Sequence, residues 1–255
     1  MIPEEDRAND RAPPRAVILA AGVGRRLGIN HPKCLLRIGG RTLLDRHLDH
    51  LERLGVDDVV LVLGHQKDRI EDALRGRTGI RILMNPDYRQ GSVVSLWRAR
   101  DELSAGRDIV LMDADVLYGL PLLRRLIQSP IPNCFLLDRD FEPGPEPVKL
   151  CVRDGRLVEF RKEVSPALRY DYAGESVGFF RFSARAAAEL AGRTEVYIYE
   201  GRAETPYEEA IRDLLLANSN DFSFEDITGL PWIEIDFPED LRRAEEEILP
   251  ALSEP

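Results

Sequence analysis

Ala16-Val-Ile-Leu-Ala-Ala-Gly-Val-Gly-Arg-Arg-Leu-Gly-Ile-Asn-His-Pro-Lys33 is the stretch of sequence that decides the fold. It begins as a short apolar run, which is typical of a strand buried on both faces of a sheet. The run ends at Gly22 and Gly24, and glycines let a backbone turn sharply and approach a ligand closely. Backbone N–H groups in such a turn bind phosphate oxygens, and three cations lie nearby: Arg25, Arg26 and Lys33. The stretch therefore predicts a strand followed by a triphosphate-binding loop.

Two better-known glycine motifs do not fit this loop. A dinucleotide-binding fingerprint needs a third glycine where Leu27 stands and an acidic residue about 20 residues further on. A P-loop needs Gly-Lys followed by Ser or Thr, which the stretch lacks. The remaining structural alternative is an ordinary strand-to-helix turn with solvated arginines.

Length and charge limit the classes of protein to which this chain can belong. A chain of 255 residues can form one large α/β domain with an inserted part. Its 45 acidic and 35 basic residues give a net charge of −10, which disfavours a nucleic-acid surface. The three cysteines are too scattered for a disulfide framework, and no apolar run reaches membrane-spanning length. We expect a cytoplasmic protein that binds neither nucleic acid nor membrane, with residues 1–14 as a flexible tail.

The chain after Lys33 alternates between helix and strand patterns. Thr42 is expected to cap a helix; buried strands are predicted at 59–63 and 109–112, with a further strand at 80–84 between them. This alternation predicts an α/β fold with a Rossmann-like, mostly parallel central sheet flanked by helices. After residue 141 the segments become shorter and include a hairpin turn at Asp154-Gly155, which indicates a mixed-sheet insertion.

Polar residues follow the carboxyl ends of the predicted strands. Residues 90–92 follow the third strand, and Asp113 and Asp115 follow the fourth. Because ligands bind at this edge of open α/β sheets, we expect these residues to share one site with the glycine loop. Asp236 ends a later strand, and two carboxylates facing a triphosphate suit one Mg²⁺. From spacing alone, Asp236 is equally suited to cap the helix that Pro238 begins.

The order of these features resembles one enzyme family. Residues 19–27 followed by Pro32-Lys33 are similar to the Leu-Ala-Ala-Gly-x-Gly-x-Arg-Leu…Pro-Lys signature of nucleotidyltransferases that activate sugar phosphates and phospho-alcohols. The resemblance implies that the aspartates matching Asp115 and Asp236 hold the metal. Lys33 and Arg26 are the predicted catalytic residues, with Lys33 on the phosphates and Arg26 on the leaving pyrophosphate. A solvated surface lysine is the alternative for Lys33.

Four further segments resemble the bacterial choline-phosphate and phosphonate cytidylyltransferase branch of this family: residues 85–97, 173–179, 206–211 and 232–236. The resemblance implies a fold of the nucleotide-diphospho-sugar transferase type, with CTP as donor and a small phosphate or phosphonate as acceptor. The predicted nucleotide-binding residues are Leu19, Ala20, Ala21, Gly22, Val23, Gly24, Arg25, Gln90, Gly91, Ser92 and Asp113.

The acceptor is expected to carry an amine, as phosphocholine and 2-aminoethylphosphonate do. Tyrosines and glutamates gather in the second half of the chain, and aromatic faces with carboxylates hold ammonium groups. The predicted acceptor-binding residues are Lys162, Glu175, Tyr207 and Glu209. These residue types are equally common on ordinary strand and helix surfaces, and inositol phosphate remains open as an uncharged acceptor.

This function divides the single domain, residues 15–255, into three parts. Residues 15–140 are the predicted nucleotide-binding part, residues 141–230 the acceptor-binding part, and residues 231–250 a returning strand and helix. A sugar-1-phosphate or inositol-1-phosphate nucleotidyltransferase is the alternative enzyme, and a non-catalytic nucleotide sensor is the alternative of another class. The lysine and the metal pair argue against the sensor, because binding alone would not need them. A homodimer is a possible assembly.

Overall fold

The computed structural model describes residues 12–142 and 144–252. Most of the predicted tail, residues 1–11, lies outside the described residues. The described strands are β1 (Arg15–Ala20), β2 (Arg37–Ile38), β3 (Arg41–Thr42), β4 (Val59–Leu63), β5 (Ile80–Met84), β6 (Ile109–Asp113), β7 (Val116–Tyr118), β8 (Cys134–Asp138), β9 (Lys149–Arg153), β10 (Arg156–Arg161), β11 (Tyr172–Phe182), β12 (Ser223–Asp226) and β13 (Trp232–Glu234).

The helices alternate with the strands in the first half of the chain and cluster in the second. They are α1 (Leu43–Arg53), α2 (Lys67–Ala73), α3 (Val93–Arg98), α4 (Arg100–Leu103), α5 (Leu120–Gln128), α6 (Ala184–Tyr199), α7 (Tyr207–Ala217), α8 (Pro238–Arg243) and α9 (Leu249–Ala251). A π-helical segment, Ala244–Ile248, joins the last two. No helix in the described residues combines the length and the apolar character needed to cross a membrane.

The strands around β1 form the parallel part of the sheet. β1 pairs in parallel with β4 on one side and β6 on the other, and β5 lies outside β4. Successive residues of β1 alternate between the two faces, so that Val17 packs in one hydrophobic core and Ile18 in the other. A strand covered on both faces favours apolar side chains along its length, and residues 16–20 of β1 are all apolar.

The second half of the chain extends the same sheet with antiparallel strands. β11 runs antiparallel to β6, β8 and β9, with β10 outside β9 and β12 joined in parallel to β8. The sheet is therefore mixed overall and parallel at its centre, which confirms the predicted fold class. The division of the chain at residues 140 and 230 remains a prediction.

Helices cover both faces of the sheet. α3, α4, α6 and α7 supply buried residues to one core, and α1, α2 and α5 supply the other. The local sequence explains where α1 begins and ends. The side chain of Thr42 accepts a hydrogen bond from the Asp45 backbone N–H, and Gly55 just after the helix has a φ of +74°.

A separate two-stranded ladder returns the end of the chain to the sheet. β13 runs antiparallel to β7, with Trp232 opposite Tyr118 and Glu234 opposite Val116. The backbone N–H of Ile235 continues this register by donating to the carbonyl of Asp115 at 2.9 Å. The ladder packs over a small third core that includes residues of the C-terminal helices. It places Asp236 beside Asp115, although about half the chain separates them in sequence.

An aromatic cluster joins the antiparallel strands, and its loss should destabilise the fold. Phe135 is fully buried, with its ring centroid 5.3 Å from those of both Phe160 and Phe180. We expect Phe135→Ala to lower the free energy of unfolding by about 3–5 kcal/mol, because the cavity cannot be refilled. Urea denaturation measures this change. As control, Tyr199→Ala, at a side chain that is 86% exposed, should change it by less than about 0.5 kcal/mol. Similar effects of the two substitutions would contradict the packing described.

Candidate active site

A cavity with a volume of about 420 Å³ opens at the carboxyl ends of β1 and β6. The glycine loop forms one wall. The sequence-predicted residues that line it are Leu19, Ala20, Ala21, Gly22, Val23, Gly24, Lys33, Gln90, Ser92, Asp113, Asp115 and Tyr207. Lining residues outside the predicted set of site residues are Cys34, Tyr88, Arg89, Ser95, Ala114, Glu208 and Glu234.

Gly24 has a conformation and a contact that exclude a side chain. Its φ is +63°, and a Cβ built on it would lie 3.0 Å from Cγ of Lys33. The loop therefore packs directly on the aliphatic part of the lysine and holds it along the cavity wall. Arg25 follows in a 3₁₀ turn, Arg25–Leu27, and its side chain is outside the described part of the structure.

The segment 90–92 supports the site more than it lines it. Gln90 and Ser92 reach the cavity, but the structure does not bring Gly91 to it. A Cβ on Gly91 would lie 2.3 Å from the carbonyl oxygen of Thr205, so the glycine is required for close packing of two backbones. The hydroxyl of Ser92 accepts a hydrogen bond from the Tyr207 backbone N–H at the start of α7. This segment therefore positions α7 against the glycine loop.

An ammonium group lies between the two predicted metal ligands. Nζ of Lys33 donates to Oδ2 of Asp115 at 2.8 Å and to Oδ1 of Asp236 at 2.5 Å. Burial alone would lower the pKa of Lys33, but the two carboxylates raise it above its ordinary value. Burial would likewise raise the pKa of Asp236, but Lys33 and then Arg26 hold it below its ordinary value. Lys33 and Asp236 therefore carry their charges at neutral pH.

A second set of charges extends from this centre across the cleft. Nη1 of Arg26 donates to Oδ2 of Asp236 at 2.8 Å and to Oε2 of Glu146 at 2.9 Å. The same Glu146 oxygen accepts from Nζ of Lys162 at 3.2 Å. Arg26 and Lys162 thus meet at one carboxylate, and an incoming anion would find both cations nearby.

The geometry separates the two interpretations of Asp236. Its side-chain oxygens accept from Lys33 and Arg26, while the backbone N–H groups of Asp236 and Phe237 donate to Oδ2 of Asp240. Asp240 therefore satisfies the start of α8, and the Asp236 carboxylate is directed into the cleft. Asp236 lies just beyond β13, as Asp115 lies just beyond β6.

Glu234 completes a group of three carboxylates. One oxygen of each of Asp115, Glu234 and Asp236 lies within 4.8 Å of the others. Glu234 keeps access to solvent through the cleft, yet the surrounding protein and the charges of Asp115 and Asp236 raise its pKa to about 8. Clustered carboxylate oxygens with charge to be neutralised suit a hard divalent cation. The alternation Ile233-Glu234-Ile235-Asp236 is the signal that identifies Glu234, since strand residues two apart share a face.

Asp113 has a structural environment unlike that of Asp115. Its Oδ2 accepts a hydrogen bond from the Tyr207 hydroxyl at 2.6 Å, and burial, followed by the nearby charges of Asp115 and Glu234, raises its pKa. Gly178 leaves room for this carboxyl group, because a Cβ there would lie 2.3 Å from Oδ2. Tyr207 reaches the cavity through this buried pair.

Two neighbouring glutamates at the start of α7 have opposite surroundings. Glu209 accepts from Arg161 through both carboxylate oxygens, at 2.8 and 3.1 Å. The structure therefore directs Glu209 to Arg161 and does not bring it into the cleft. Glu208 lines the cleft, and its buried Oε2 has no hydrogen-bond partner within the described residues. Burial raises the pKa of Glu208. One residue separates the predicted position from the side chain that faces the site.

Glu175 lies in an acidic chamber on the far side of Glu146 and Glu234. We define the chamber by the residues that line it around Glu175: Asp138, Glu146, Trp232, Glu234 and Asp236. Burial and then the charge of Asp138 raise the pKa of Glu175 to about 7. Trp232 fixes Asp138 by donating from Nε1 to Oδ2 at 2.7 Å. Glu234 and Asp236 belong both to the chamber and to the carboxylate group. The acceptor-binding role of Glu175 stays a prediction.

The fold and these groups define a class of protein, the nucleotidyltransferases of the nucleotide-diphospho-sugar transferase type. A glycine loop after the first strand, a lysine beside it and carboxylates that follow two further strands lie together at one edge of the sheet. The chain belongs to the MobA-like NTP transferase domain family, whose model matches residues 16–168.

Curated relatives carry similar sequences over most of this chain. CMP-5'-(3-aminopropyl)phosphonate synthase of Streptomyces rubellomurinus is 30% identical over 255 residues, covering 92% of this chain and 39% of that protein. The bifunctional IPC transferase and DIPP synthase of Rubrobacter xylanophilus is 30% identical over 251 residues, covering 96% of this chain and 54% of that protein. The chain thus spans about half or less of these two relatives.

Solved structures share the fold at lower identity. CTP:phosphocholine cytidylyltransferase from Streptococcus pneumoniae superposes with a TM-score of 0.74 at 21% identity, covering 91% of this chain and 97% of that one. The inositol-1-phosphate CTP transferase from T. maritima gives 0.72 at 18% identity, covering 93% and 99%. These likenesses support the fold.

Gly155 and Gly178 both have a positive φ, so a comparison of alanine substitutions at these positions tests the packing around Asp113. Gly155 has a φ of +71°, and a Cβ added to it would meet open space. Gly178 has a φ of +79°, and a Cβ added to it would lie 2.3 Å from Oδ2 of Asp113. Gly155→Ala should cost about 1–2 kcal/mol of unfolding free energy from backbone strain alone. Gly178→Ala should cost at least about 1 kcal/mol more, because the new methyl group overlaps Asp113. Chemical denaturation of both variants measures the difference, and equal costs would show that the contact is unimportant.

Proposed function

We propose that this protein is a Mg²⁺-dependent cytidylyltransferase that transfers CMP from CTP to a small amine-bearing phosphate or phosphonate and releases pyrophosphate. The observation that carries the proposal is the meeting of the glycine loop, Lys33 and three carboxylates at one end of the sheet. The choice of CTP is supported by the relatives, which are named for CMP or CTP chemistry.

The triphosphate would lie along the glycine loop. Backbone N–H groups of the loop face phosphate oxygens in this arrangement, as at other anion-binding turns. Lys33, held against Gly24, would bind the phosphates and stabilise the charge that develops on them. Arg26 would bind the departing pyrophosphate. Gln90 offers both a donor and an acceptor at the cavity wall, which suits contact with a base.

Mg²⁺ fits the carboxylate group formed by Asp115, Glu234 and Asp236, because this ion prefers oxygen ligands and shares its site with phosphates. When bound, such an ion would supply positive charge that stabilises the negative charge developing on the phosphates. The protein's own residues would hold its position through the β7–β13 ladder, which fixes the carboxylates relative to each other.

The reaction requires positioning and charge more than a protein nucleophile. An oxygen of the acceptor phosphate attacks the α-phosphorus of CTP; a new phosphorus–oxygen bond forms, and the bond to the β-phosphate oxygen breaks as pyrophosphate takes the electron pair. The acceptor is already an anion near neutral pH, so no serine, cysteine or histidine has to be activated. Lys162 would attract the acceptor phosphate. It lies near Arg26, because both side chains donate to the carboxylate of Glu146.

The amine of the acceptor would bind at Glu208. A buried carboxylate oxygen without a hydrogen-bond partner among the described residues is costly, and an ammonium ligand would supply both the missing donor and the opposite charge. Glu208 lines a small cavity together with Lys162, Ser176 and Tyr207. A cation for the phosphate and a carboxylate for the amine thus lie in one cleft. The acidic chamber around Glu175 is the second place with surplus negative charge.

Pyrophosphate release tests this proposal directly. The protein is mixed with Mg²⁺, one nucleoside triphosphate and one acceptor chosen from phosphocholine, 2-aminoethylphosphonate, inositol-1-phosphate and glucose-1-phosphate. Rapid release with CTP and an amine-bearing acceptor is expected. Preference for inositol-1-phosphate or a sugar phosphate would support the alternative enzyme, and nucleotide binding without release would support a sensor.

Glu208 and Glu209 form a matched pair for testing the amine site. Glu208→Gln should lower kcat/KM for the amine-bearing acceptor at least about tenfold, which corresponds to about 1.4 kcal/mol. Glu209→Gln should change it by less than about twofold, since this residue pairs with Arg161 at the surface and exposed pairs contribute little. Steady-state rates at fixed CTP give both values. If the two variants behave alike, the amine does not contact Glu208.

A further inference from the structure

Lys33 occupies a position that a divalent cation would also favour. Its ammonium is the donor to one oxygen of Asp115 and one oxygen of Asp236. These residues are two of the three members of the carboxylate group that could hold a metal ion. Nζ therefore provides the positive charge that keeps the paired aspartates together.

The ammonium and a metal ion are competitors for these carboxylates. Magnesium binds carboxylate oxygens at about 2.1 Å, so an ion on either aspartate would stand beside the ammonium, and like charges at such short range repel strongly. Each hydrogen bond from Lys33 also uses an oxygen lone pair that a metal would need. Metal binding and the observed position of Nζ are thus mutually unfavourable.

We propose that Lys33 holds the place of the divalent cation in the nucleotide-free protein and is displaced from the aspartates when metal and triphosphate bind together. The second half of this statement rests on the proposed function, because it needs a triphosphate to receive the ammonium. The consequence is ordered use of the site: metal binds weakly until the nucleotide supplies Lys33 with another anion.

The surroundings of Lys33 allow its ammonium to move while its backbone stays fixed. The backbone belongs to a short 3₁₀ turn, Lys33–Leu35, in which Cys34 and Leu35 are buried. The aliphatic stem of Lys33 lies on Gly24, in the loop that lines the cavity at the carboxyl ends of β1 and β6. Lysine has a flexible four-carbon stem with a terminal charge, so rotation about its last bonds would redirect Nζ from the aspartates to an anion on the loop.

Reciprocal coupling follows from this arrangement. A triphosphate that attracts Nζ frees the two carboxylates for metal, and a metal on the carboxylates releases Nζ for the triphosphate. By linkage, each ligand must raise the affinity for the other by the same factor. Glu234 adds a third carboxylate that Lys33 does not bond in the structure, so some metal affinity should persist without nucleotide.

The test measures Mn²⁺ binding to the metal-stripped protein in the absence of nucleotide and acceptor. Electron paramagnetic resonance of the free ion gives the bound fraction. Lys33→Met should bind Mn²⁺ at least about tenfold more tightly than the wild type, because it removes the ammonium that joins the two aspartates, while Arg26 stays paired with Asp236. Lys33→Arg keeps the charge and should resemble the wild type. Lys67→Met is the matched control for loss of one positive charge, since Lys67 pairs with Asp68 and Glu71 away from the cleft.

Wild-type affinity in Lys33→Met, or an equal gain in Lys67→Met, would overturn the proposal. Circular dichroism checks that each variant is folded, and thermal unfolding gives an independent measurement if Lys33→Met is less stable. Saturating Mn²⁺ should then raise the melting temperature of Lys33→Met more than that of the wild type, because a tighter ligand stabilises the folded state more. Equal shifts would also overturn the proposal.

Adding CTP separates this proposal from the proposed function. CTP should increase Mn²⁺ affinity several-fold more in the wild type than in Lys33→Met, and complex formation between Mn²⁺ and free CTP cancels in this comparison. Equal enhancement in both proteins would overturn the coupling. If CTP fails to bind either protein, the proposed function fails, whereas the nucleotide-free result still decides whether Lys33 holds the metal's place.

Discussion

One ammonium group between two carboxylates is the interaction on which the site depends. Lys33 follows the glycine loop, Asp115 follows β6, and Asp236 follows β13, so their ion pairs join segments that are 82 and 203 residues apart. Without a cation, Asp115 and Asp236 would repel each other in a partly buried position. The lysine therefore stabilises the same geometry that a metal ion would use. The residue that we propose binds phosphate thus also holds the two proposed metal ligands together.

Backbone pairing makes this charge cluster possible. The β7–β13 ladder sets Glu234 opposite Val116 and continues with a hydrogen bond between Ile235 and Asp115. Small residues then bring other elements close: Gly91 allows contact with residue 205 before α7, and Gly178 leaves room for the Asp113 carboxyl group. These contacts orient α7, whose first turn contributes Tyr207 and Glu208 to the cleft. The positions of the charged groups are thus set by tightly packed backbone that tolerates little change.

The start of α7 and the segment that follows β13 show why nearby residues of the same type have different roles. Glu208 faces the cleft and Glu209 faces Arg161, because successive helical residues point about 100° apart. Asp236 faces Lys33, whereas Asp240 satisfies the start of α8. Within each pair the two residues are of the same type. Direction, burial and available partners distinguish a side chain that can bind a ligand from one that supports the fold.

The sequence by itself determined the fold class, the glycine loop and the candidate positions of Lys33 and the two aspartates. Apolar runs, glycines and strand-ending carboxylates are local signals, and they depend only on nearby residues. It pointed to Glu209 rather than Glu208, included Gly91 among the ligand contacts, and left Asp236 divided between helix cap and cleft. Those questions depend on which distant segments meet. Only the tertiary structure decided them, because the register of the β7–β13 ladder and the rotation of α7 arise from packing between parts of the chain that no local pattern relates.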